Sequence, residues 1–156
     1  MKTTSISKPA FSVIGREGST KDGDGFVGKL WAEANQKFSE ISHLAKRDSD
    51  GNFSGFWGLM TDFSRSFQPW ENNFSEGLYL AGAECEDDAI EPEGWTKWTV
   101  PGFEYIIVPC ESENPFLSGL TYLSQNGLSL AGAVQDFTCP KTGKSYMLFP
   151  VGRMTV

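Results

Sequence analysis

The sequence predicts an α+β fold. A strand–helix–strand–strand module occurs twice and builds a curved, mostly antiparallel sheet with two helices on one face and a central ligand groove. Three observations predict this. Two segments carry apolar residues at three- and four-residue steps, the helical period. The other apolar segments are short, rich in β-branched and aromatic residues, and bounded by Gly, Pro, Asn and Asp. Finally, Gly58–Ser64 (GLMTDFS) matches Gly132–Thr138 (GAVQDFT), and each copy follows a helix and precedes a final strand.

The elements follow in order. Phe11–Gly15 (FSVIG) reads as the first strand. Glycine-rich loop chemistry follows, without the spacing or the Ser/Thr of a phosphate loop. Asp24 is placed to cap a long helix from Gly25 to Lys46, whose Val27, Leu30, Trp31, Ala34, Phe38, Ile41 and Ala45 form one apolar stripe. His43, the only histidine, falls near its end. Asp48–Asn52 is a turn, and Phe53–Phe63 a strand carrying two glycines. Ser64–Glu76 reads as loop, Gly77–Glu84 (GLYLAGAE) as strand, and Cys85–Gly94 as an acidic loop. Trp95–Cys110 contains a strand broken at Pro101-Gly102. Asn114 caps a second helix with Pro115 at its first position and Asn126-Gly127 at its end. Leu128–Phe137 and Tyr146–Val151 are the last strands. A louder match, GLYLAGA at Gly77 against GLSLAGA at Gly127, is set aside because it equates strands at different places in the two modules.

Size and composition bound the function. One domain, Met1–Val156, is the simplest reading, with halves of about 8–86 and 95–151. A net charge of −7 and the lack of clustered Lys and Arg argue against nucleic acid. No apolar run is long enough to span a bilayer, and the first nine residues lack a signal-peptide core. Three distant cysteines form no disulfide framework, which points to the cytoplasm. The Cys139-Pro140-Lys141-Thr142-Gly143 stretch lacks the second cysteine of a zinc knuckle and reads as a turn, so neither metal nor cofactor is expected.

The aromatic residues carry the functional lead. Four of the five tryptophans lie between Phe53 and Tyr105, interleaved with Asp62, Glu71, Glu84 and Glu104. Aromatic walls with a few carboxylates suit a planar apolar or cationic small molecule. The candidate ligand-binding residues are Trp57, Met60, Trp70, Glu71, Trp98, Tyr105, Asp136 and Tyr146. Each has a plainer reading: a ring as ordinary core, Glu71 as a loop carboxylate in water. Glu104 and Tyr105, adjacent in a strand, must point to opposite faces unless the strand twists or ends there.

The order strand, long helix, WGLMTDF, Trp-Glu loop, GLYLAGAE, W-x-x-x-P-G-x-E-Y-I-I-V, LAGAVQDFTCP, YMLFPV resembles the gyrase-inhibitor-like (GyrI-like) small-molecule-binding domain over roughly Lys8–Val151. This effector-binding domain is also fused to AraC-type and multidrug-responsive transcription regulators. The resemblance implies a duplicated fold with a pocket between the repeats for flat, often cationic molecules. The chain departs from the pattern where the family carries pocket glutamates: Gln135, beside Asp136, stands at one position and Tyr146 at the other. Starting at the first strand, it is expected to lack a helix-turn-helix and to contact no DNA directly.

Three functions follow. The first is a stand-alone binding protein for planar xenobiotics or metabolites. The second draws on family members that are cyclopropanoid cyclopropyl hydrolases; the same aromatic cage would open a reactive electrophile, with Glu104 and Tyr146 as the candidate catalytic pair. The third is a protein-interaction domain using the acidic stretch Glu84–Glu93. The oligomeric state is left open.

Overall fold

The computed structural model describes residues 3–154. Eight strands form one sheet: β1 (Thr4–Lys8), β2 (Phe11–Ser19), β3 (Phe56–Thr61), β4 (Leu78–Cys85), β5 (Thr96–Val100), β6 (Phe103–Pro109), β7 (Gln135–Thr138) and β8 (Ser145–Arg153). Their spatial order is β1-β6-β8-β7-β3-β4-β2-β5, and every pairing is antiparallel. The helices are α1 (Phe26–Gln36) and α3 (Pro115–Gln125). Between β3 and β4 lies a single turn, α2 (Glu71–Phe74), whose Asn72 and Asn73 sit at positive φ, a conformation asparagine tolerates.

The duplication is real: β2-α1-β3-β4 is answered by β6-α3-β7-β8. The halves join where β3 pairs with β7, Trp57 opposite Phe137 and Gly58 opposite Asp136. The seven-residue match that suggested the repeat is out of register. Asp62 lies beyond the end of β3, whereas Asp136 is inside β7.

Each half also has a leading strand, β1 or β5, joined to it by two residues, Pro9-Ala10 or Pro101-Gly102. These leading strands are exchanged: β1 pairs with β6 and β5 with β2. That exchange dictates the shape. A two-residue link spans only about 10 Å, whereas eight flat strands would extend about 34 Å. The sheet must therefore curl until its two edges approach. Gly15 and Gly82, opposite each other in β2 and β4, permit the tight coil. A Cβ on either would run into the facing strand's backbone, at the Ala81 or the Ile14 carbonyl.

Alternation along the strands then divides the residues between two faces. Inside the curl lie Phe11, Val13, Trp57, Leu59, Leu80, Trp98, Val100, Phe103, Tyr105 and Leu148 as one core. On the outside, α1 sets Leu30 and Ala34 near Ile14, Tyr79 and Ala81, and α3 sets Leu123 near Val108 and Phe149. Both helices thus share the convex face. Gly119 lets the Phe149 ring lie directly against α3.

Several expectations are corrected. Helix α1 stops at Gln36, not Lys46. The apolar stripe continues, but Phe38 and Ile41 pack from a 3-10 turn and its sequel, and Lys46 N–H bonds to the Glu84 carbonyl at 2.8 Å. Tertiary contacts override the period there. Its N-cap is Gly25, not Asp24. Strand β7 starts at Gln135, not Leu128, because the preceding residues bond individually, Ala131 to Pro150 and Ala133 to Phe67. Strand β1 lies ahead of every element that the sequence predicts. Asn114 does cap α3, accepting from Leu117 N–H at 3.1 Å with Pro115 at the first position. The three cysteines are free.

Candidate functional site

The inside of the curl is mostly filled, and its two ends differ. At one end the loop after β3 folds over the opening. Asp62 organises that loop, accepting from Ser66 N–H at 2.9 Å, Ser64 Oγ at 2.6 Å and Thr61 Oγ1 at 3.0 Å. Burial pushes the Asp62 carboxyl up, but these hydrogen bonds outweigh it and hold the pKa well below the usual range. The loop inserts Phe67, whose ring meets Trp98 edge-on at 6.0 Å. Trp98 Nε1 donates to Glu17 at 2.7 Å, and Arg65 clasps Glu17 with two bonds of 2.6 and 2.8 Å. The Arg65 guanidinium is the main cause of a lowered Glu17 pKa, against the opposing effect of burial.

The other end is open. A cavity of about 450 Å³ is walled by Trp57, Phe137 and Tyr146, with Ile6, Ile107 and Leu148 completing its apolar lining. That volume lies within the range of small-molecule pockets. At its base is Glu84, only 6% exposed. Trp57 Nε1 donates to Glu84 Oε1 at 3.0 Å. The Lys8 ammonium stands 3.4 Å from each Glu84 oxygen, and Lys46 and Ser54 complete the lining. Trp57 packs between Phe11 (centroids 4.6 Å) and Phe137 (4.8 Å), so it is core and cavity wall together.

The sequence-derived candidates are distributed as follows. Trp57 and Tyr146 line this cavity. Trp98 lies inside the curl at the plugged end. Tyr105, 1% exposed, belongs to the filled interior, its hydroxyl buried without a partner. Met60 and Trp70 line a separate cavity of about 210 Å³ on the helix face. Asp136 faces a third, of about 470 Å³, with Trp31, Tyr79 and Phe116; Tyr146 borders that one too. Burial raises the Asp136 pKa to about 6. Glu71 is exposed and accepts from Phe63 N–H at 2.9 Å. Glu104 is exposed on the convex face of β6, and Tyr146 points inward from β8, five ladder positions away. The structure does not bring that pair together.

Sequence reasoning missed Lys8, Glu84 and Phe137. The signal for Glu84 was parity: Leu78, Leu80, Gly82 and Glu84 share one face, so the carboxylate continues an apolar row. Among the described residues no group of three or more His, Cys, Asp and Glu side chains is placed to hold a metal ion, and no helix is long and apolar enough to cross a membrane.

Comparison with known proteins now places the chain. The family model described as Cass2, integron-associated effector binding protein, matches residues 6–122. The chain belongs to this effector-binding family. No curated protein matches it in sequence. Several solved structures share the fold of this Cass2-family chain, three of them as follows. One is SAV2435 bound to tetraphenylphosphonium, at a TM-score of 0.66 and 11% identity over 97% of this chain and 94% of that one. The EcmrR C-terminal domain aligns with a TM-score of 0.65 and 12% identity over 98% of both chains. An integron cassette protein from the mobile metagenome of Vibrio cholerae gives 0.58 and 15%, over 97% of this chain and 95% of that one. The GyrI-like resemblance read from the sequence agrees with these matches.

Proposed function

We propose that this chain binds a planar, largely apolar small molecule at the open end of the curl, stacking it on Trp57, Phe137 and Tyr146. The observation that carries the reading is Glu84. A carboxylate held by an indole N–H at the base of a roomy aromatic cavity is a polar anchor in an apolar wall, the usual composition of a ligand site. Membership in an effector-binding family, and a fold shared with SAV2435, which holds tetraphenylphosphonium, support the binding of a small molecule. The three free cysteines suit a reducing compartment.

Binding is favoured over hydrolysis because the catalytic pair that the sequence suggests, Glu104 and Tyr146, is not assembled at the cavity. Glu104 lies on the opposite face from Tyr146, and Glu84 is already engaged by Trp57 and Lys8.

Titration of planar aromatic compounds, followed by tryptophan fluorescence, tests the reading. Tyr146→Ala and Phe137→Ala should each weaken binding about tenfold, the worth of one stacked ring, while thermal melting stays cooperative. Unchanged affinity in both variants would move the site elsewhere. A water-added product in molar excess over protein, seen by mass spectrometry, would establish turnover.

A further inference from the structure

The base of the open cavity already contains a cation. Lys8 Nζ lies 3.4 Å from both Glu84 oxygens, 4.5 Å from the Phe11 ring centroid and 5.5 Å from that of Trp57. A carboxylate and two π faces within these distances are what a bound organic ammonium would seek. The ammonium reaches this place because the strand exchange lays β1 along β6 and returns the chain through Pro9 into β2, beside β4. Its contacts to Glu84 are longer than an ordinary N–H···O bond. Its side chain keeps 24% of its exposure at the cavity wall. Lys46 adds a second positive charge to the lining, and among the described residues Glu84 is the one carboxylate there.

We infer that Lys8 is a tethered occupant of the cation position and sets ligand choice at this site. With Lys8 in place the anchor carboxylate is neutralised and the lining is net positive. An incoming cation must displace the ammonium and meets like charge, whereas a neutral or anionic planar molecule stacks on Trp57, Phe137 and Tyr146 without that cost. The ligand class is therefore planar aromatics without a positive charge. The inference rests on the proposed ligand site and reverses the cationic preference that the family resemblance implies.

The test uses one ring system with three charges: pyrenemethanol, pyrenemethylammonium and pyrenecarboxylate, titrated at low ionic strength. The wild-type protein should bind the ammonium at least tenfold more weakly than the alcohol. Lys8→Met keeps an unbranched, flexible side chain and removes the charge. It should raise affinity for the ammonium at least tenfold relative to the alcohol and weaken the carboxylate. Adding Glu84→Gln should abolish that gain. Tighter binding of the ammonium than of the alcohol by the wild type overturns the inference, and this arm needs no variant to fold. An unchanged ammonium-to-alcohol ratio in a folded Lys8→Met also overturns it. If no pyrene compound binds wild type or variants, the proposed site itself fails, and the inference with it. Equal binding of the alcohol and the ammonium by the wild type sinks only the inference.

Discussion

The two ends of the curl use the same three parts with opposite results. At the plugged end Trp98 donates to Glu17 and Arg65 clasps it at 2.6 and 2.8 Å. At the open end Trp57 donates to Glu84 and Lys8 stands off at 3.4 Å. Each is an indole, a carboxylate and a cation. Arginine's planar fork fits a carboxylate in two parallel bonds, and here it rides on the loop that also inserts Phe67. A lysine ammonium makes a point contact on a flexible stem. Among the described residues no loop carries a ring across the open end, and a cavity of about 450 Å³ remains. A carboxylate–indole pair sits at a plugged end or an open cavity according to which cation completes it and whether a loop follows.

The sharpest way to break this comparison is to remove each indole. Trp98→Ala and Trp57→Ala should each cost about 3–5 kcal/mol, the usual loss for truncating a buried aromatic. Urea unfolding measures it, with both residues at 6% exposure or less. The ends then separate in binding. In the folded fraction Trp98→Ala should keep its affinity for a neutral planar compound, and Trp57→Ala should lose it. Equal loss of affinity in both would mean that the plugged end belongs to the site.

Much of this fold was legible because helices and inner strands leave periodic traces. The stripe of α1 through Ala34 and the Asn114-Pro115 start of α3 were explicit. Strand β1 (TSISK) left none. It is an edge strand, exposed from Thr4 to Ser7, Ile6 included, so no apolar alternation marks it. Losing β1 meant losing Lys8, and with it the charge at the cavity base. The site was half legible for a related reason. Trp57 and Tyr146 stand out as aromatic, but which face a strand residue takes needs the pairing. Met60, three residues after Trp57 in the same strand, points to the other face by parity alone. Glu84 reads as the end of an apolar strand until β4 is laid beside β3, with Gly82 opposite Trp57 and Glu84 next on that face.

A third carboxylate sharpens the contrast by lacking both partners. Asp136 sits on the convex face, and burial alone raises its pKa to about 6. A folded-state pKa above the unfolded value means that the native protein holds the proton more tightly between roughly pH 4 and 6. Ionisation therefore destabilises the fold as pH rises through that window, and the cost is complete above it. Asp136→Asn should raise stability by about 1–3 kcal/mol at pH 7.5 and change little near pH 4. Denaturant titration at the two pH values checks the sign. A loss of stability at pH 7.5 would show that the charged form has a partner.

Arg65→Met should have the smallest effect and the opposite pH dependence. Arg65 is 53% exposed, so its pair with Glu17 is screened by water and contributes at most about 1 kcal/mol. Its guanidinium lowers the Glu17 pKa, so the stabilisation is present above the unfolded carboxyl's value and is lost as pH falls through the lowered one. The variant should be slightly less stable than wild type at pH 7, and the two should converge in acid below that range. A loss well above 1 kcal/mol would assign Arg65 more than a clasp. It would mean that the guanidinium holds the Phe67 loop shut, and Arg65→Met should then also let a neutral planar compound quench Trp98. Quenching without a large stability loss would show that the plug is easily displaced, and the distinction between the two ends would become one of degree.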